Sequence, residues 1–201
     1  MKMKMKLTIA IFTIFLVSGC AFTVHDTPVN YVYSGNTITA GGQNLPNITI
    51  GMIRDTRSVE NPRMIMNTRN GNGQTASGGW QAEKGLSFLV KDALKQGIAA
   101  AKLDLIRDRK VLLSGELVDV SSDVVMGWTS GTVNMKISVK LTVRDEVSSK
   151  ILWRDTIFGA GSTNSKGLSS KETVVKAFKL SLNNMVDNFM SDEYFQQQVL
   201  N

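Results

Sequence analysis

The 201-residue sequence predicts an α+β fold in which two helices cover one face of a mostly antiparallel sheet, as a two-layer sandwich. Three observations predict it. Apolar and polar residues alternate strictly over 132–144, which is typical of a strand with one buried and one wet face. Two longer segments, 86–101 and 174–189, repeat apolar residues at steps of three and four, as amphipathic helices do. In chain order the periodic segments are β-α-β-β-β-α.

The first strand and the first helix begin the predicted fold. Residues 48–53 are a compact run rich in β-branched side chains and predict a strand. The apolar stripe that starts at Leu86 lies within a predicted helix over 83–102. Because this helix is a crossover connection, we expect the next strand to run parallel to the first, as its neighbour or close to it.

Three further strands follow as an antiparallel meander. The alternation over 111–125 is mixed, so we expect a bulge near Gly115. Residues 132–144 carry the clearest alternation, and 151–158 form the return strand of a hairpin through the turn at 145–150.

Two other segments have signals of a different kind. Ser169 and Glu172 match a capping box, so we expect the second helix to begin there. Residues 64–79 are rich in glycine and asparagine and predict a long surface loop. Loops of this length are usually functional or disordered.

The N-terminus is organised like an export signal. Met and Lys alternate over 1–6 and supply positive charge, and an apolar run follows over 7–17. That run is shorter than the roughly 20 residues with which a helix crosses a bilayer core. We therefore expect a signal peptide over 1–19 that is removed.

The tetrad Val17, Ser18, Gly19 and Cys20 resembles the lipobox of bacterial lipoproteins, in which an aliphatic residue and two small residues precede a cysteine. The resemblance implies cleavage by signal peptidase II before Cys20, a diacylglyceryl group on its thiol and an acyl group on its new amine. Several acyl chains hold a protein stably at a membrane. By the same resemblance, Ala21 implies the periplasmic face of the outer membrane of a Gram-negative bacterium. The alternative is an ordinary secretory signal followed by a buried free cysteine.

Four regions are predicted in all. They are the signal peptide over 1–19, a lipidated tether over 20–46, a single α+β domain over 47–195 and a tail over 196–201. The tether is predicted because its residues show no sustained periodicity and include several prolines and glycines, with a short strand at 29–33 as an alternative.

Composition excludes several kinds of chemistry. One cysteine excludes an intramolecular disulfide and a Cys-rich zinc site, and His25 as the single histidine leaves little for a metal site or a Ser-His-Asp relay. The net charge is +6, but Lys2, Lys4 and Lys6 lie in the signal, so a mature chain would carry about +3. We expect no metal, no cofactor other than the lipid on Cys20, and no nucleic-acid partner.

Four charged residues after the first strand form a candidate binding patch, namely Arg54, Asp55, Arg57 and Arg63. Guanidinium groups bind phosphate and carboxylate through charge-assisted hydrogen bonds. The functional interpretation is therefore an anion- or partner-binding patch, for example for the phosphates of phospholipid, lipopolysaccharide or peptidoglycan. The alternative is a solvated loop held by a local Arg-Asp pair.

Candidates for catalysis are weak. Two pairs of carboxylates lie four residues apart but lack the dense spacing of a calcium loop; they are Asp104 with Asp108 and Asp119 with Asp123. In the segment 127–131, Ser130 occupies the wrong position for a nucleophile elbow. We therefore expect a protein that is not an enzyme and has no catalytic residues.

The order of segments resembles the YajG-like family of bacterial lipoproteins, which is functionally uncharacterised. The resemblance covers roughly 29–195 and rests on the lipobox, the Tyr31/Tyr33 segment, the strand at 48–57 ending in Arg-Asp-x-Arg, the helix at 86–102, the strand at 132–144 and the C-terminal helix. It implies a fold and no active site.

These observations predict a non-enzymatic outer-membrane lipoprotein that faces the periplasm and binds a protein or an envelope component. The wet face of the sheet, the loop over 54–79 and an open strand edge are the candidate surfaces. The alternative is a carrier or sensor of a small or lipidic ligand, held between the sheet and the helices.

Overall fold

A four-stranded sheet and a separate three-stranded sheet form the β structure of the protein, seen here in a computed structural model. The structure describes residues 23–35, 45–69, 75–103, 105, 108–126, 130–165 and 170–200. In chain order the elements are β1 (Val24–Thr27), β2 (Asn47–Asp55), β3 (Met64–Arg69), β4 (Thr75–Ala82), α1 (Leu86–Ala100), β5 (Lys110–Met126), β6 (Gly131–Asp145), β7 (Ile151–Ser165), α2 (Lys171–Ser191), α3 (Glu193–Phe195) and a π-helical turn (Gln196–Leu200).

The four-stranded sheet has the strand order β2-β5-β6-β7. β2 runs parallel to β5, and the other neighbours are antiparallel, so the predicted crossover and meander are confirmed. Every second side chain of β6 is buried, as its alternation requires; these are Val133, Met135, Ile137, Val139, Leu141 and Val143. The side chains between them point to the opposite face, which we call the open face.

Both long helices pack on the buried face of this sheet, which confirms the predicted α+β sandwich. Their apolar stripes are buried in the same core, and the members with no exposed surface include Leu86, Val90, Leu94, Val174, Phe178, Leu182, Val186 and Phe189. Helix α2 lies very close to β7. A Cβ on Gly159 would overlap the carbonyl oxygen of Ser181, and one on Gly161 would overlap that of Ala177.

The three-stranded sheet is absent from the prediction. Its strand order is β1-β4-β3, with β1 parallel and β3 antiparallel to β4. The surface loop expected over 64–79 is therefore wrong where β3 and β4 lie, while 70–74 fall outside the described residues. Ile65 and Met66 are buried, and a Cβ on Gly79 would overlap the carbonyl oxygen of Met66. This glycine permits close contact between two strands, whereas its sequence context suggested a loop.

Residues 23–35 belong to the folded body, so the tether predicted over 20–46 is too long. β1 pairs with β4, and Tyr31 is only 6% exposed within the core that the helices share. Leu45 is buried as well. The stretch at 29–33 runs without strand pairing among the described residues. This stretch is held in place by tyrosine side chains that pack on the helices. Such packing leaves no periodic pattern in the sequence.

The ends of the helices differ slightly from the prediction. The helix expected over 83–102 is limited to Leu86–Ala100, and Gly85 occupies its N-cap position. The N-cap of α2 is Ser170, whose hydroxyl accepts a hydrogen bond from the backbone N–H of Thr173. The N-cap expected at Ser169 is displaced by one residue, so the third helical position is Thr173 and Glu172 does not complete the expected capping box. Ser169 itself lies outside the described residues.

Two further expectations are corrected. The bulge expected near Gly115 lies at Val118, since Leu117 pairs with Val139 and Asp119 with the adjacent Ser138. The tail expected over 196–201 contributes to the core through its last described residues. Val199 is fully buried and Leu200 is 5% exposed.

Candidate functional site

The structure separates the four residues of the predicted patch into three places. Arg54 lies on the open face of the four-stranded sheet, in a depression. Arg57 lines a different groove, beside the three-stranded sheet, and is paired with Asp55. Arg63 contacts Asp26 of β1. Of these four residues, Arg54 is the one that shares a depression with several other basic side chains.

Asp55 and Arg57 form a buried pair that closes the turn after β2. The Arg57 Nε donates to Asp55 Oδ1 at 2.8 Å, and its Nη2 donates to Asp55 Oδ2 at 2.6 Å. The same Nη2 donates to the carbonyl oxygen of Pro62 at 3.0 Å. Only 5% of the Arg57 side chain and 14% of the Asp55 side chain are exposed. This is the local Arg-Asp pair that the sequence offered as the alternative to a binding patch. The two side chains bind each other.

Arg63 and Asp26 form an exposed pair on the three-stranded sheet. Their side chains are 41% and 66% exposed, and the Nη1–Oδ1 distance is 3.3 Å. Exposed ion pairs of this kind contribute at most about 1 kcal/mol. Asp26 also accepts a hydrogen bond at 2.9 Å from the amide nitrogen of Gln81, which receives one from Asn61 at 2.6 Å on its oxygen. This network ties β1 to β4 and to the preceding turn.

A depression of about 340 Å³ on the open face brings together four basic side chains, Arg54, Lys140, Arg144 and Arg154, around the single carboxylate of Glu116. We call it the basic depression. Strand register explains the convergence, because Arg54 of β2 pairs with Glu116 of β5, which pairs with Lys140 of β6. Three strands therefore contribute to one row across the sheet.

The basic depression carries an excess of positive charge. Among the residues that the structure describes, none of its four cations forms an ion pair with a carboxylate. The Nε of Arg154 donates to the hydroxyl of Thr142 at 3.2 Å, which orients the guanidinium on the sheet. Lys136, four residues before Lys140 on the same strand, extends the basic surface along the open face.

Such an arrangement is suited to binding an anion. Guanidinium groups form paired, charge-assisted hydrogen bonds to phosphate or carboxylate, and lysine adds a compact charge. The side chains rise from hydrogen-bonded strands, so their Cα positions are fixed before a ligand arrives. Glu116 limits the local charge and separates Arg54 from Lys140 in the row.

Sequence reasoning missed three of the four cations in the basic depression. Lys140 and Arg144 stand at wet positions of the predicted strand, and Arg154 stands in the return strand. They share a face with Arg54 because of the register in which β2 pairs with β5. The sequence predicts that these two strands run parallel, but it does not predict their register. Alternation alone could have grouped Lys136, Lys140 and Arg144, since they are spaced four residues apart along a strand.

The carboxylates that the sequence singled out are not brought together where they are described. Asp119 and Asp123 are exposed on the same face of β5, about 13 Å apart at the rise of a strand. Asp104 and the segment 127–129 lie outside the described residues. Within the described ranges, no group of three or more His, Cys, Asp and Glu side chains is arranged to hold a metal ion.

A polar network holds the segment at 29–35 between the helices. The Tyr31 hydroxyl donates to Asn183 Oδ1 at 2.6 Å, and the Tyr33 hydroxyl donates to Asp187 Oδ1 at 2.5 Å. From the other helix, the Gln96 side chain accepts from the Tyr33 backbone N–H at 2.8 Å and donates to the Tyr31 carbonyl oxygen at 3.3 Å. The segment is thus bonded to both α1 and α2.

Both tyrosines are held in the neutral form. Burial raises the pKa of the Tyr31 phenol well above its ordinary range, and charge repulsion raises it further, from Tyr33 once that phenol ionises and from the carboxylates of Asp187 and Asp92. Burial also raises the pKa of Tyr33, and the hydrogen bond to Asp187 adds to this effect. These hydroxyls therefore act as hydrogen-bond donors in the folded protein.

The space between the helices and the sheet is filled along β6 and at Gly159 and Gly161 of β7. The side chains of β6 that face the helices are at most 1% exposed, and the overlaps at Gly159 and Gly161 show that even a methyl group has no room there. The alternative function, a carrier with a ligand between the two layers, gains no support from these contacts.

None of the helices in the described part of the chain combines the length and the apolar character needed to cross a membrane.

Comparison with known proteins concerns the fold. No protein-family model and no curated protein matches the chain. Among solved structures, it is similar to a Xanthomonas campestris protein of the family DUF330, with 12% identity, a TM-score of 0.49, and coverage of 87% of this chain and 98% of that one.

Two other solved structures are similar over a smaller part of the chain. A minor lipoprotein from Acinetobacter baumannii has 14% identity and a TM-score of 0.41, over 54% of this chain and 84% of its own. A protein from Caulobacter crescentus described as a lipoprotein has 9% identity and a TM-score of 0.36, over 57% of this chain and 80% of its own. At these identities and TM-scores, the likenesses carry no conclusion about function.

Proposed function

We propose that the protein is a lipid-anchored, non-enzymatic component of the bacterial envelope that binds a partner presenting phosphate or carboxylate groups. The observation that carries the binding role is the basic depression, where four cations surround one carboxylate on the open face. A charged face on a rigid sheet suits recognition, and its cations lack carboxylate partners among the described residues.

The anchor is proposed from the sequence. Cys20 directly follows an apolar run and two small residues, and it is the single cysteine of the chain. Acylation of Cys20 would place the body at a membrane, and Ala21 favours the periplasmic face of the outer membrane. Membership of the YajG-like family belongs to the same proposal, on the order of segments described above.

The binding role is tested with two variants. One removes positive charges from the basic depression, and the other removes the same number from a separate surface. The depression variant combines Arg54→Gln, Lys140→Gln and Arg154→Gln. The control variant combines Lys171→Gln, Lys176→Gln and Lys179→Gln, three lysines that line a separate groove beside Pro28. Both variants lose three positive charges, so they have the same net charge and differ only in where the charge is lost.

Tripolyphosphate is a suitable probe, and calorimetry of the lipidated protein in detergent measures its affinity. We expect the depression variant to bind at least about tenfold more weakly than wild type, equivalent to about 1.4 kcal/mol, while the control stays within about twofold. Affinity should fall as salt is raised. Equal losses in the two variants would show that only net charge matters and would contradict a built site.

A further inference from the structure

The proposed anchor and the folded body are separated by very little chain. The first described residue is Thr23, three residues after Cys20. Whatever conformation they adopt, three residues span at most about 11 Å. If Cys20 carries the lipid, as proposed above, Thr23 is held within that distance of the membrane surface.

The chain enters the body at the three-stranded sheet. The Thr23 carbonyl oxygen accepts a hydrogen bond from the Gly79 backbone N–H at 3.3 Å, and Val24 begins β1. Val24 also lines a groove of about 660 Å³ together with residues 57–61, β3 and Ser121 of β5. We call β1, β3, β4 and residues 57–63 the anchor-proximal end.

The opposite end of the four-stranded sheet is far from this entry point. Ser121 lies in the groove beside Val24, and ten residues back along β5 is Val111, about 33 Å away at the rise of a strand. Val111 pairs with Asp145, where the turn to β7 begins. That turn contains Val147, which is 93% exposed.

We propose that the anchor-proximal end faces the bilayer and that the turn at Val147 points away from it. This orientation rests on the proposed acylation of Cys20 and on the short chain that follows it. The partner of the surface is the lipid headgroup layer of the membrane that holds the anchor. The exposed side chains of this end include the polar His25, Asp26 and Glu60 together with Val59, which is 45% exposed, so the contact is mainly polar.

Single-cysteine labelling tests the orientation. Acylation consumes the Cys20 thiol, so Glu60→Cys or Val147→Cys in the lipidated chain gives a protein with one free thiol. Each variant is labelled with a fluorophore and reconstituted into phosphatidylethanolamine and phosphatidylglycerol vesicles that carry a headgroup nitroxide quencher. We expect several-fold stronger quenching at position 60 than at position 147. Equal quenching at both positions, in protein that floats with the vesicles, would overturn the orientation and leave the anchor intact.

A longer tether is the matched control. Twelve Gly/Ser residues inserted between Ala21 and Phe22 add a coil of about 20 Å. We expect quenching at position 60 to fall to the level of position 147, and unchanged quenching would contradict the role of the short chain. Protein that fails to float with vesicles at either position would overturn the proposed anchor and this orientation with it.

Discussion

At the scale of single residues, Tyr31 and Tyr33 decide whether the N-terminal segment belongs to the body. Their hydroxyls bond to Asn183 and Asp187, two residues four positions apart on α2. Burial of a polar group is tolerated only when it is hydrogen-bonded. The two tyrosines therefore pack against the helices with their hydroxyl groups hydrogen-bonded, and these bonds hold residues 29–35 in place along α2.

We expect Tyr31→Phe to lower the free energy of unfolding by about 1–2 kcal/mol, because Asn183, itself only 9% exposed, loses the donor to its side-chain oxygen. Tyr194→Phe is the matched control, since Tyr194 is 58% exposed and should change stability by less than about 0.5 kcal/mol. Chemical denaturation followed by circular dichroism measures both. A loss at Tyr31 no larger than at Tyr194 would show that the hydrogen bond is unimportant.

The same tyrosines give stability a dependence on alkaline pH. Above about pH 10, phenols of the unfolded chain release protons, while the raised pKa values of Tyr31 and Tyr33 keep theirs bound in the folded state. The unfolded state then binds fewer protons, so the free energy of unfolding falls as pH rises. We expect denaturation curves from pH 8 to 11 to show this decline in wild type and a shallower one in Tyr31→Phe with Tyr33→Phe. Equal slopes would contradict it.

At the scale of elements, α2 packs so closely on β7 that two positions of this strand require glycine. Backbone carbonyl oxygens of α2 occupy the positions that side chains at Gly159 and Gly161 would need. At the same contact, the side chains of Asn184 and Asn188 on α2 donate to the carbonyl oxygens of Ala160 and Phe158, which covers the edge of β7. An edge strand protected in this way is a poor site for β-strand addition.

Gly161→Ala should therefore destabilise the protein by about 1–3 kcal/mol, because the helix must shift to admit one methyl group. Ala160→Ser, one residue earlier on the exposed side of the same strand, is the control and should change stability by less than about 0.5 kcal/mol. Thermal and chemical unfolding measure the difference. Wild-type stability in Gly161→Ala would mean that the helix does not pack as closely as the structure has it.

Periodicity made the large elements predictable. The alternation of β6 and the stripes of α1 and α2 are local patterns, and each was matched by the burial of the residues that form it. The three-stranded sheet had no such signal. β1 is only four residues long. β4 contains two glycines, and both β3 and β4 contain polar residues. Such segments form strands only because they pair with other parts of the chain.

At the scale of the whole molecule, the candidate site became visible only after the strands were assembled. Arg54 was recognisable as a candidate from its position after a strand, but the same reasoning included Arg57, whose charge is paired and buried. Arg154 on β7 joins Arg54 on β2 from the opposite edge of the sheet, three strands away in order. Convergence of this kind follows from register, which sequence periodicity does not define.

The proposed anchor at Cys20 would determine where this surface operates, and both the proposed location and the proposed orientation depend on it. The most direct measurement is metabolic labelling with radioactive palmitate, comparing wild type with Cys20→Ser, followed by membrane fractionation. We expect Cys20→Ser to lose the label and to release the folded body from membranes, because the single thiol that can carry a diacylglyceryl group is gone. Palmitate label that persists in Cys20→Ser, or full retention of that variant in the membrane fraction, would contradict a lipid anchor at this residue.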